Sequence, residues 1–305
     1  MALDEYLSEL GDENRPIAPN KLDNLSSLSG EGLERFLHVY NSMNTERRRQ
    51  IIESLVELAE LRVELDFDGI LLGCLDDVDP AVRIGAIEGL WECERRPFID
   101  RLIGMLERDS QESVRAAAAQ ALGRFAFLAE LGKLGQGYGE KVERALSAAI
   151  AKPGESLEVR RRSVESIACF SLPGVTRIIR EAYRSDDRHM RASAIYAMGR
   201  NCDPVWLEIL IEELSSQDAE MRYEAAGACG QIGEEEAVPH LVKLINDDDA
   251  QVRLAAIAAI GEIGGDEAEA ALKECLHNPD KAISGAAGDS LNEMYLLRDP
   301  LKFTL

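Results

Sequence analysis

Aromatic residues are scarce in this 305-residue chain: two Trp, seven Tyr and seven Phe, 5% of the total. Sheets favour aromatic and β-branched side chains, so this poverty beside plentiful Ala, Leu and Ile points to close-packed helices. Missing too is any apolar run near the roughly 18–20 residues that span a bilayer. The start, Met1-Ala2-Leu3-Asp4-Glu5, has neither the basic opening nor the apolar stretch of a signal peptide, so a cytoplasmic setting is expected. Cys74, Cys93, Cys169, Cys202, Cys229 and Cys275 are scattered with no Cys-x-x-Cys pair. That argues against a disulfide framework or a zinc site, and leaves thiols that pack as small hydrophobes.

Positive charge is also in deficit, with 34 Lys and Arg against 56 Asp and Glu, a net charge of −22. Such a field repels phosphate backbones and anionic membranes. Neither nucleic acid nor membrane is therefore the expected partner. Two readings of the charge stay open: solubility of an elongated molecule, or a protein partner with a basic surface. The sequence has no Gly-x-Ser-x-Gly elbow, Walker loop or dinucleotide-binding fingerprint. The Gly-rich stretch at 132–137 lacks the strand and helix that phosphate binding requires. The four histidines, His38, His189, His240 and His277, sit apart at unlike positions, so no metal set is expected. Catalytic residues and cofactors are expected to be none.

What the chain does have is a ruler. Arg160, Arg191, Arg222 and Arg253 stand 31 residues apart, and Ser284 keeps the beat. Arg83 and Arg115 continue it at a spacing of 32. A fixed period of this size marks stacked supersecondary units, each too small to bury a core alone. Count from the residue before each marker: Val82, Val114, Val159, Met190, Met221, Val252 and Ile283. Offsets +4, +7 and +8 then carry small and apolar residues, such as Ala256, Ala259 and Ile260. Offsets 0, 4, 7 and 8 form one stripe of an α-helix. Three residues before each zero position stand Asp79, Gln111, Ser156, Asp187, Asp218, Asp249 and Asp280, six of which are good N-caps. A second apolar helix precedes each of these, separated by a short turn such as Asn246-Asp247-Asp248. So short a turn folds the two helices antiparallel.

The second helices read Asp-x-x-Val-Arg-x-x-Ala, followed in the best units by a glycine stop, as in Asp249 to Gly264. This pattern resembles HEAT repeats, and most of all the short bacterial variety named after phycobilisome lyases. The likeness covers about residues 66–297. It implies an all-α fold: a right-handed α-α superhelix, a HEAT/armadillo-type solenoid of about eight antiparallel helix pairs. The expected layout is an N-terminal arm at 1–30, the solenoid at 31–297 with an insert near 125–140, and a C-terminal tail at 298–305. Arg47 stands where the first pair should have its buried aliphatic residue. The arm has two possible roles, a cap on that pair or a mobile segment. The insert is a binding element or a tolerated glycine loop.

In HEAT-like arrays the second helices line the concave surface. The offsets opposite the buried stripe, +2, +6 and +9, then turn toward a partner. They nominate Glu88, Trp91, Gln120, Arg161, Glu165, Tyr196, Tyr223 and Asp289. Trp91 either anchors a partner or packs on the insert or the Arg95-Arg96-Pro97 turn. Gly123, Gly199, Gly230 and Gly261 at +9 are suited to the approach of a neighbouring helix. The marker arginines are expected to pair with carboxylates near helix caps in structural roles, rather than to bind anions. HEAT-like hydroxylases use repeated His-Glu dipeptides, and no histidine here is followed by Glu. The resemblance thus implies a non-enzymatic protein-interaction scaffold. Two alternatives remain: a bilin lyase-like or chromophore-handling subunit of the phycobilisome-lyase type, and a nucleic-acid-binding HEAT-like protein.

Overall fold

A computed structural model describes residues 3–12, 15–135 and 137–298. Every regular element among the described residues is helical. A short helix α1 (Leu3–Leu10) and a one-turn helix α2 (Pro19–Leu22) come first. Eight helix pairs follow. They are α3 (Gly30–Ser42) with α4 (Thr45–Leu61), α5 (Asp68–Cys74) with α6 (Pro80–Gly89), and α7 (Arg96–Arg108) with α8 (Glu112–Glu130). Next are α9 (Tyr138–Ala151) with α10 (Leu157–Ile167), α11 (Pro173–Tyr183) with α12 (Arg188–Asn201), and α13 (Leu207–Glu213) with α14 (Ala219–Ile232). The last are α15 (Val238–Leu244) with α16 (Ala250–Ile263), and α17 (Gly265–Cys275) with α18 (Lys281–Arg298). The chain divides into two compact units, residues 1–125 with 134–162, and residues 126–133 with 163–305. The expected tail beyond residue 298 lies outside the described residues.

The stripe is the core. All seven zero positions are buried, and Ala86, Ala118, Ala194, Ala225, Ala256 and Ala287 at +4 have no exposed surface. Helix starts follow the capping pattern. The side chains of Asp79, Ser156, Asp187, Asp218, Asp249 and Asp280 each accept a backbone N–H two or three residues on. Each such cap satisfies a donor that the first helical turn leaves without a partner.

In the second unit, successive second helices lie backbone against backbone. A Cβ on Gly199 of α12 would meet the Ala228 Cα of α14 at 2.7 Å. One on Gly261 of α16 would meet the Ser290 Cβ of α18 at 2.7 Å. The +9 glycine of one helix therefore seats the +7 residue of the next. This corrects the expected outer face: offset +9 is an inter-helix position here, and at +2 Ala116 and Ala192 are buried too. Offset +6 alone keeps to the surface along most of the chain. The same unit holds a polar knot. The fully buried Trp206 donates from Nε1 to Asn201 Oδ1 at 2.9 Å, and Arg180 lies 4.9 Å from its ring centre. Asn201 in turn donates to the carbonyls of Ala168 and Phe170 at 2.9 and 3.2 Å.

In the first unit the N-terminal arm is packed down. Tyr6, Leu7, Leu10, Leu22 and Leu25 are buried. Arg47, only 4% exposed, donates from Nε to the Leu10 carbonyl and from Nη1 to the Arg15 carbonyl, both at 2.9 Å. An arginine at the zero position thus exchanges an aliphatic contact for two anchors on the arm. The glycine loop is also held. The guanidinium of Arg96 lies so close to Gly135 that an added Cβ would meet Nη2 at 2.5 Å. Arg96 sits 5.6 Å from the Tyr138 ring centre, and Lys141 pairs with Asp100 at 3.0 Å. Helix α8 runs on past Phe125 to Glu130. Gly139, inside the expected insert, lies in the first turn of α9.

Candidate partner-binding groove

Five of the six marker arginines have carboxylate partners. Arg83 grips Asp109 with both nitrogens, at 2.9 and 2.8 Å, and also donates to the Asp77 carbonyl at 2.7 Å. Arg222 does the same with Asp247, at 2.7 and 2.8 Å, and with the Ser216 carbonyl at 2.8 Å. Arg115 pairs with Glu155 at 2.7 Å, Arg191 with Glu213 at 3.6 Å, and Arg253 with Asp280 at 4.0 Å. Arg83, Arg115, Arg222 and Arg253 each tie a carbonyl of their own inter-helix turn to an acid of a later one. Arg48 begins the series by pairing with Asp77 at 2.9 Å. It went unnoticed in the sequence because its repeat lacks the aliphatic marker beside it.

Burial works to raise the Glu155 carboxyl. The Arg115 and Lys152 side chains and the Ser156 backbone N–H overcome it, bringing the group down to about 2. The Arg188 side chain, against the opposing effect of burial and with help from the Glu220 backbone N–H, brings Asp218 to about 2. These are the signatures of structural ion pairs. Arg160 alone among the markers has a buried Nε with no hydrogen-bond partner among the described residues.

The eight nominated residues divide among several places. Arg161 is half-buried and pairs with Glu158 at 3.0 Å, and Glu165, also half-buried, accepts from the Ser193 hydroxyl at 2.6 Å. Tyr196 and Tyr223 in the second unit are 38% and 43% exposed, and Asp289 on α18 is exposed. Glu88, Trp91 and Gln120 are brought together in the first unit. They line a groove of about 490 Å³ with Glu60, Ile87, Leu90, Phe98, Ala121, Arg124 and Phe125.

Trp91 reaches this groove by a route the repeat pattern did not suggest. Helix α6 stops at Gly89, two residues short of it. A Cβ at Gly89 would meet Val56 Cγ2 at 2.7 Å, so the chain passes close to α4 where it leaves the helix. Trp91 sits on the following turn, its backbone N–H bonded to the Glu88 carbonyl at 3.2 Å. Its side chain is 59% exposed, so it packs fully on neither the insert nor the Arg95-Arg96-Pro97 turn. Phe98 and Phe125, both buried and 6.0 Å apart edge to face, form the floor. Arg124 crosses the rim, donating to the Glu92 carbonyl at 3.0 Å and to Glu94 Oε1 at 3.2 Å.

Among the described residues no group of His, Cys, Asp and Glu is arranged to hold a metal ion. No described helix is long and apolar enough to cross a membrane. The chemistry on offer is recognition: an exposed indole over an apolar floor with a polar rim.

Stacked helix pairs with a shared apolar stripe and a ladder of capped turns define an α-α repeat solenoid. The chain belongs to the HEAT-repeat family, whose model matches residues 68–153 and 207–292, together more than half of its length. Among solved structures it resembles the complex of CpcE and CpcF of phycocyanin lyase from Nostoc sp. PCC7120. The identity there is 17%, with 93% of this chain and 97% of that chain covered, at a TM-score of 0.52. Kap95p bound to RanGDP is similar at 14% identity and TM-score 0.52, and importin beta at 15% and 0.52. Each of those two matches covers 96% of this chain but only 45% of the other. At these identities the likeness is one of fold. No curated protein matches the sequence.

Proposed function

We propose that this protein is a non-enzymatic interaction scaffold whose protein partner docks in the groove beside Trp91. The observation that carries this is an indole left more than half exposed over a buried aromatic floor. Leaving so large an apolar surface in water costs stability, and tryptophans in such settings are the commonest interface anchors. The rigid flanking helices hold the groove preformed, which lowers the ordering cost of binding. The chain's net charge of −22 favours a partner with a basic surface and disfavours nucleic acid. A bilin lyase role has only the likeness of fold behind it, and free bilin is expected to leave its visible spectrum unchanged on mixing with this protein.

The test is quantitative capture of partners from the native cell with wild type and Trp91→Ala. The variant is expected to recover the principal partner at least about tenfold less well, the scale of a hot-spot truncation, with an unchanged helical circular-dichroism signal. Equal recovery by both would refute the assignment.

A further inference from the structure

The charges around the Trp91 groove are unequal in kind. Arg124, the cation on its rim, is spent on Glu94 and on the Glu92 carbonyl. Glu60 and Glu88 also line the groove, and neither forms a hydrogen bond or ion pair through its side chain among the described residues. The groove therefore offers two free carboxylates and an exposed indole over an apolar floor of Ile87, Leu90, Phe98 and Phe125. Two like charges held near one apolar cleft repel each other and favour a cation between them. The face of an indole attracts a cation as well, and arginine most often.

Resting on the docking role given to this groove, we infer that its occupant is a cationic, apolar-flanked peptide segment. An arginine or lysine of that segment lies over the Trp91 ring between Glu60 and Glu88, and a neighbouring aliphatic side chain seats on the Phe98 and Phe125 floor. Recognition is by charge and shape together. An acidic segment is repelled, and a neutral one loses the cation's contacts while keeping the floor.

Tryptophan emission reads this site selectively. The chain has two tryptophans, and Trp206 is fully buried. The probes are three synthetic peptide pools of equal length with leucine at alternating positions and Arg, Glu or Gln between them. Each is titrated into wild type, into Trp91→Ala as the blank, and into the Glu60→Gln/Glu88→Gln double variant. The Arg pool is expected to perturb Trp91 emission, to bind about tenfold more tightly than the Gln pool, and to weaken with added salt. In the double variant that preference should vanish while the Gln pool binds as before. Equal binding of the Arg and Gln pools to wild type, or tighter binding of the Glu pool, would overturn the inference and leave the docking role standing. If no pool perturbs Trp91 emission, the cationic assignment falls, and capture with Trp91→Ala decides the docking role separately.

Discussion

An arginine in this chain contributes according to what surrounds its carboxylate. Arg83 and Asp109 are each about nine-tenths buried and doubly bonded, so removing one leaves a charge without its partner. Arg83→Ala is expected to lower stability by about 3 kcal/mol, the range found when a buried pair is broken, read as a drop in urea midpoint. Arg177 and Glu181 are both largely exposed and 4.0 Å apart, and Arg177→Ala should leave the midpoint unmoved. The acid limb of stability has a defined sign. A free glutamate protonates near 4.5, whereas folded Glu155 keeps its charge down to about 2. Its contribution is complete above the first value and is lost as the pH falls toward the second. Glu155→Gln should therefore be less stable at neutral pH and should lose less stability between pH 5 and pH 3 than wild type. An unchanged slope of midpoint against pH would contradict this role. Much at this scale was legible beforehand: the six capping side chains and the structural use of the marker arginines. Glu155 as the mate of Arg115 was not. The inserted segment sets them 40 positions apart, so no fixed offset points to the pair.

At the scale of the helix, the decisive feature is how closely the second helices approach. Gly199 and Gly227 are both interior helical glycines, but their surroundings are opposite. A methyl at Gly199 meets the Ala228 backbone at 2.7 Å, whereas one at Gly227 meets nothing within 4 Å. Gly199→Ala is expected to cost about 1–3 kcal/mol by overpacking. Gly227→Ala should gain about 0.5–1 kcal/mol from helix propensity alone. Thermal melts of the two variants decide it, and equal shifts would count against this register. The sequence suited the +9 glycines to a neighbouring helix yet counted their offset with the outer face, because a helical wheel shows which residues share a side and not how far apart the axes lie. It also carried α6 through Trp91, since the period continues there while the helix does not. Trp206 shows the same limit. Its burial depends on Arg180 and Asn201, which come from two other helices.

For the whole molecule, the ends and the charged surface matter most. A repeat array exposes the apolar face of its first pair unless something covers it. Here α1, α2 and the buried arm residues cover it, tied through Arg47. Removing residues 1–28 is expected to lower the melting temperature of the first unit and to increase dye binding to exposed apolar surface. An unchanged melt would mean that the arm is dispensable. The pattern in the sequence left the arm's role open because Arg47 breaks the stripe. Only the carbonyls of Leu10 and Arg15 explain why a cation is buried at that place.

Site-specific photocrosslinking in the native cell bears most directly on function, with a photoreactive phenylalanine analogue placed at Gln120, which lines the groove and leaves Trp91 in place, and, as a control, at Val205, which is 47% exposed in the second unit. A groove that receives a partner predicts discrete adducts from position 120 and none from position 205. The same diffuse labelling at both positions, or no adduct at 120, would contradict a docking role for the groove beside Trp91.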